Sequence, residues 1–257
     1  MAKSGRSLVD KLRWRRELAR WQRDASQAAT AAMSDLRALR GQARQLRTHL
    51  DRLIYVADER MALPRIGSNA FQVPMGSDWS WRPELWRGPL PVSGVASAEP
   101  RSQLGEEATV FHDCDRSELA LRQVRNLREA DLAPYGLKMD VFGFDGSFLS
   151  LVIDFPPEAV AGLKRKHLIR LDTIVELEKP LEIYARLNIK HGPNTEQMVR
   201  ELRLDSEAHV VEFDLAYSNL NEKRVERLWL DLIFEGPQMN QVIIRDVTFS
   251  RRPRAEL

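Results

Sequence analysis

The sequence predicts a mainly β protein, an antiparallel jelly-roll β-sandwich preceded by a long N-terminal α-helical segment. Three observations carry that prediction. Apolar residues step by three and four through the first sixty positions, which is helical spacing. Proline and glycine then crowd into residues 64–108, which hold 6 of the 13 prolines and 5 of the 13 glycines. From Thr109 onward the spacing changes to two, the period of a half-buried strand, with turn residues between the runs. The implied organisation is a basic helical segment over 1–63, a Pro/Gly/Trp-rich wrapping linker over 64–108 and a sandwich domain over 109–257.

The helical stripe comprises Trp14, Leu18, Trp21, Ala25, Ala28 and Ala32, followed by Leu36, Leu39, Ala43, Leu46, Leu50, Leu53 and Ala57. The double four-residue step through Ala28, Ala32 and Leu36 resembles a coiled-coil stutter. Ser7 is placed to cap the helix, and no proline occurs before Pro64. Unbroken, residues 8–60 would reach about 80 Å at 1.5 Å per residue; Gly41 and the alanine patch at 25–32 are the weak points. A one-sided stripe is not stable alone in water, so the segment is expected to form a coiled coil or a helical hairpin, with a homo-oligomer as the natural partner arrangement.

Charge is unevenly distributed. Residues 1–60 hold 14 Lys or Arg against 7 Asp or Glu, a balance of +7, while the remainder holds 25 against 30, a balance of −5. Such an arm suits phosphate, an anionic surface or an acidic protein. No nucleic-acid recognition motif accompanies it, so nucleic acid is not the expected partner. Trp14 and Trp21 among Arg13, Arg15, Arg16, Arg20 and Arg23 resemble an interfacial membrane helix, although packing tryptophans flanked by solvated arginines are the commoner arrangement. The single cysteine, Cys114, excludes an intramolecular disulfide. With no apolar leader and no run long enough to span a bilayer, a cytoplasmic location is expected.

Within the linker, DWSWRPELW carries Trp79, Trp81 and Trp86, half of the six tryptophans. These rings are expected either to plug one end of the sandwich and cover an edge strand, or to serve as secondary aromatic contacts for a ligand. The alternation that follows predicts strands over 109–112, 137–142, 148–155, 168–177, 181–190, 196–204, 210–215, 228–234 and 241–250, and a helix over 156–166. Turn signals at 144–147, 191–194 and 235–237 separate them.

Candidate ligand-binding residues follow from the same alternation. Along 181–190 the apolar members Leu181, Ile183, Ala185, Leu187 and Ile189 face one way, and Tyr184, Arg186 and Asn188 the other. The 228–234 run buries Leu228, Leu230, Leu232 and Phe234 and turns Trp229 and Asp231 outward. Aromatic rings interleaved with Arg, Asn and Asp suit a sugar, whose ring faces pack on aromatics while its hydroxyls take directed hydrogen bonds. Such a face can equally be a solvated sheet surface.

Catalytic and metal signals are weak. In the FHDCD stretch, His112, Asp113, Cys114 and Asp115 alternate in direction, so at most two converge, too few for a closed zinc site. There is no phosphate-binding glycine loop, nucleophile elbow or His-Glu-x-x-His motif. No cofactor is expected; Asp140, Asp154 and Asp246 offer oxygens for a structural calcium at generic spacing.

The ending LWLDLIFEGPQMNQVIIRDVTF, with the alternation over 109–250, resembles the galactose-binding-like jelly rolls and the carbohydrate-binding modules built on that fold. The stretches PRIGSNAF, DWSWRPELWRGPL, FHDCDRSELALRQVRN, IVELEKPLEI, KHGPNTEQMVREL and RDVTFSRRPRAEL resemble an alphaproteobacterial family of unknown function. That second likeness implies a grouping and no activity, so no catalytic residue is carried over. The reading is therefore a non-catalytic binding or scaffold protein for a glycan or protein ligand. A purely structural assembly component is the alternative, and a hydrolase or lyase acting on a polysaccharide stands third for want of a convergent acid, base and nucleophile.

Overall fold

A computed structural model describes residues 8–65, 71–128, 131–204 and 208–254. The chain divides into two compact units, Met1–Ile54 and Tyr55–Leu257.

The first unit is helical. Helix α1 spans Leu8–Gln27, and α2 starts at Met33 and extends to Arg65. Ser7, expected to cap α1, lies outside the described residues. The break falls in the alanine-rich patch, and Gly41 remains inside α2. Alanine itself favours helix, so composition does not explain the break. The backbone N–H groups of Thr30 and Ala31 both turn back to the Gln27 carbonyl, at 3.0 and 3.1 Å, and the Thr30 hydroxyl donates to the same oxygen at 3.2 Å. Three donors on one carbonyl close a turn instead of extending the ladder. Trp21 and Ala25 of α1 and Ala28 of the turn then share an apolar concavity with Leu36, Leu39 and Ala43 of α2. Past that point the stripe is open, and Leu46, Leu50 and Leu53 are 39%, 37% and 63% exposed.

The second unit is a jelly-roll sandwich of two antiparallel sheets. Its strands, in chain order, are β1 (Trp79–Trp81), β2 (Gly94–Val95), β3 (Arg101–Leu104), β4 (Ala108–His112), β5 (Leu119–Arg125), β6 (Tyr135–Val141) and β7 (Leu149–Asp154). There follow β8 (His167–Leu177), β9 (Glu182–His191), β10 (Asn194–Glu201), β11 (Ala208–Asp214), β12 (Val225–Glu235) and β13 (Asn240–Pro253). One sheet has the order β11-β8-β13-β6-β5-β2 with β1 added on β13, and the other β10-β9-β12-β7-β4-β3. Each of the nine predicted strands coincides with an observed one. The core is made of the alternating rows that period predicts: Leu149, Leu151 and Ile153, Ile183 to Ile189, and Leu228 to Phe234 from one sheet meet Ile169, Leu171, Leu137, Met139, Val242 and Ile244 from the other.

Three features depart from the sequence reading. The 64–108 segment is not an irregular wrap, because it supplies β1, β2, β3 and a short helix α3 (Glu84–Arg87). These strands have two to four residues, too few to show a period. The strand β5 was likewise not predicted. The helix predicted over 156–166 is a single 3-10 turn at Pro157–Ala159. Arg251 donates from Nη1 to the carbonyls of Ala159 and Ala161 at 3.0 and 2.9 Å, capturing acceptors a helix needs, and Gly162 takes a left-handed φ of 69°.

The linker tryptophans act as packing residues. Trp86 is wholly buried and donates its indole N–H to the Ile244 carbonyl at 3.0 Å, so it presents no surface to a ligand. Trp79 and Trp81 stack at 5.9 and 5.7 Å on Phe155 and Phe249 respectively, where β1 pairs with the end of β13. Beside them Arg82 donates from Nε and Nη2 to Asp246 at 2.9 and 2.8 Å. Burial pushes the Asp246 carboxyl up from its ordinary range, and the Arg82 charge opposes that shift.

Candidate ligand-binding groove

The outer face of the second sheet is set by its register. Core-facing Leu230, Leu151, Leu187 and Val110 fix the intervening residues outward, and pairing aligns them in rows across the strands. One row runs Arg101, Phe111, Ser150, Ile233, Tyr184 and Glu201, the next Thr109, Val152, Asp231, Arg186 and Val199, and a third Asp154, Trp229, Asn188 and Gln197.

A groove of about 680 Å³ is cut into this face, within the range of small-ligand clefts at about 300–1,000 Å³. Phe111, Phe148 and Trp229 supply its aromatic surfaces, and Arg101, Arg186, Arg227, Asp231 and Ser150 its polar groups. Of the five residues predicted from alternation, Arg186, Trp229 and Asp231 line the groove. Asn188 lies behind them and is 1% exposed, with Nδ2 on Asp231 Oδ2 at 3.1 Å and Oδ1 accepting from Gln197 at 2.9 Å. Tyr184 shares the face but stands outside the lining; its hydroxyl donates to Glu182 at 3.0 Å, which holds the phenol above its ordinary range.

The floor is a rigid polar network. Arg186 Nε and Nη2 both reach Asp231 Oδ2, at 2.7 and 2.6 Å, and Asn188 donates to the same oxygen. A carboxylate so engaged is an acceptor and orienting group, and among the described residues it is the one carboxylate in the lining. At one rim the Arg227 guanidinium carbon lies 5.0 Å from the Trp229 ring centroid, while the same guanidinium grips Asp154 on β7. Ser150 Oγ is buried in the floor without a hydrogen-bond partner among the described residues.

Phe148 owes its place to Asp113. The Asp113 Oδ1 accepts the backbone N–H groups of Ser147 and Phe148 at 2.7 and 3.1 Å, and Oδ2 accepts the Ser147 hydroxyl at 2.6 Å. The loop approaches so closely that a Cβ on Gly146 would lie 2.5 Å from Asp113 Oδ1 and 3.0 Å from the Cys114 backbone nitrogen. The FHDCD stretch is thus an anchor, with His112 held on the Ala98 carbonyl at 2.9 Å. Phe111, Phe148, Ser150, Arg101 and Arg227 were missed as site residues. The alternation in 109–112 and 148–155 could have flagged Phe111 and Ser150 as outward, but only the sheet order shows that they adjoin Trp229.

Among the described residues no group of three or more His, Cys, Asp or Glu side chains could hold a metal. The acids considered for calcium each meet a different partner: Asp140 takes Gln241 and Lys138, Asp154 takes Arg227, and Asp246 takes Arg82. Among the described residues no helix is long and apolar enough to cross a membrane.

The fold and groove define a β-sandwich protein with one sheet face opened as a cleft. The chain belongs to a family of unknown function, DUF6478, whose model matches residues 1–257. No match was found among curated proteins. Among solved structures, the chain is similar to the enzymatically active domain of tailspike protein 4 of bacteriophage CBA120, at 5% identity and a TM-score of 0.41, over 62% of this chain and 21% of that one. It is also similar to the family 11 carbohydrate-binding module of Clostridium thermocellum in complex with a β-1,3-1,4-mixed-linked tetrasaccharide, at 13% identity and a TM-score of 0.38, over 63% and 100% of the two chains. A family 61 carbohydrate-binding module in complex with β-1,4-galactotriose is similar at 16% identity and a TM-score of 0.35, over 57% and 88%.

Proposed function

We propose that the protein is a non-catalytic binding or scaffold protein whose groove holds a glycan chain and whose helices gather several copies. The observation that carries the reading is the pairing of aromatic surfaces with a preorganised polar floor. Trp229, Phe111 and Phe148 offer apolar faces for sugar rings, and the fixed Arg186, Asp231 and Asn188 cluster positions donors and an acceptor for hydroxyls. Because this cluster is already hydrogen-bonded, little ordering is left to oppose association. Weak single sites gain avidity when copies are joined, which gives the helical unit a role in the same function. In calorimetry with a panel of polysaccharides, Trp229→Ala is expected to weaken binding about tenfold, the loss expected from removing one stacking surface. A panel in which nothing binds, or a variant that binds as the parent does, would sink the proposal.

The alternative, a purely structural assembly component, is favoured by one observation, the open stripe through Leu46, Leu50 and Leu53. It predicts oligomers with no saccharide affinity at all.

A further inference from the structure

Three guanidinium groups line the groove, and their charges are not equally compensated. Arg186 is neutralised by Asp231 and Arg227 by Asp154. Arg101, exposed on β3, has no carboxylate partner among the described residues; its guanidinium carbon lies 5.8 Å from the centroid of Phe111. A cation steadied by an aromatic face and not by a carboxylate keeps its forked donors for an incoming oxyanion. It sits at the end of the row Arg101, Phe111, Ser150 and Ile233, the row that holds the unpartnered Ser150 hydroxyl. Arg101 and Ser150 on that row therefore have bonds still to make, whereas Arg186 and Asn188 already converge on Asp231 Oδ2.

From this asymmetry we infer that the groove selects an acidic oligosaccharide, whose ring carboxylate or sulfate is received by Arg101 while another sugar packs on Trp229. The inference rests on the glycan reading and narrows it. Strands lie about 4.8 Å apart, so β3 and β12 are separated by about 14 Å across β4 and β7, a span for several sugars and not for one. A neutral chain would leave the Arg101 charge unmet, and an isolated anion would leave the aromatic surfaces uncovered.

The test is calorimetry on the full chain with a short oligouronide, the same oligosaccharide after carboxyl reduction, and a sulfated oligosaccharide of equal length. The salt is set at about 0.15 M, where exposed charges more than about 8 Å apart are screened. The acidic ligand is expected to bind about tenfold more tightly than its reduced form, the effect of one charge-assisted bidentate contact. Arg101→Gln should bring the two within about twofold of each other by weakening the acidic ligand. Whether the uronide or the sulfated chain shows the preference names the oxyanion, and either result supports the inference. Equal affinity for acidic and reduced chains would overturn it while leaving the groove intact. A preference that survives Arg101→Gln and disappears in an Arg15→Gln, Arg16→Gln double variant would move the anion to α1 and overturn it too. Absence of binding to all three would remove the glycan reading along with it.

Discussion

Asp113 shows how one exposed side chain shapes a site it does not enter. The Ser147 hydroxyl, with the backbone donors of Phe148 and Ser147, draws its carboxyl below the ordinary value of 3.8. A carboxyl depressed in the folded state contributes in full above its unfolded value and loses that contribution as pH falls through the folded one. Asp113→Ala is therefore expected to lower the thermal unfolding midpoint modestly at neutral pH and to weaken saccharide binding severalfold by releasing Phe148; a melting curve and calorimetry read the two effects separately. Unchanged binding would show that Phe148 needs no anchor. At this scale the sequence is only partly legible. Alternation assigned Asn188 and Asp231 to the polar face, yet they are 1% and 3% exposed, because period reports which way a side chain points and not what covers it. The Arg82–Asp246 pair joins residues 164 positions apart, and no local pattern announces it.

Among the elements, α2 carries the clearest prediction. Leu36, Leu39, Ala43, Leu46, Leu50, Leu53 and Ala57 repeat by three and four without interruption, the spacing of a coiled-coil seam. A Leu46→Asp, Leu50→Asp double variant is expected to lower the solution mass to that of one chain in light scattering, with the β-sheet circular dichroism retained. A parent chain that is already monomeric would refute self-association. Long strands such as β8 and β9 were readable because buried and less buried positions alternate over most of their length. The turn at Pro157–Ala159 was not, since its local sequence favours helix and the competing donor, Arg251, comes from the far end of the chain.

At the scale of the molecule, every residue of the hydrophobic core lies between Leu85 and Phe249. A chain beginning at Tyr55 is accordingly expected to unfold in one cooperative transition, at the parent's midpoint within a few degrees, and to keep the saccharide affinity of a single groove. Loss of the transition would mean that the helical unit is part of the folding unit. The layering of helices then sandwich was legible from two periods alone, while the early strands, two to four residues long, were not, and β1 finds its partner only at the opposite end of the sequence. That placement bears on how the protein is born. Trp79–Trp81 meets its neighbouring strand only at Phe249–Arg251, so in a nascent chain two tryptophans lack that cover until β13 leaves the ribosome. Until that pairing closes, exposed aromatic surface is open to aggregation.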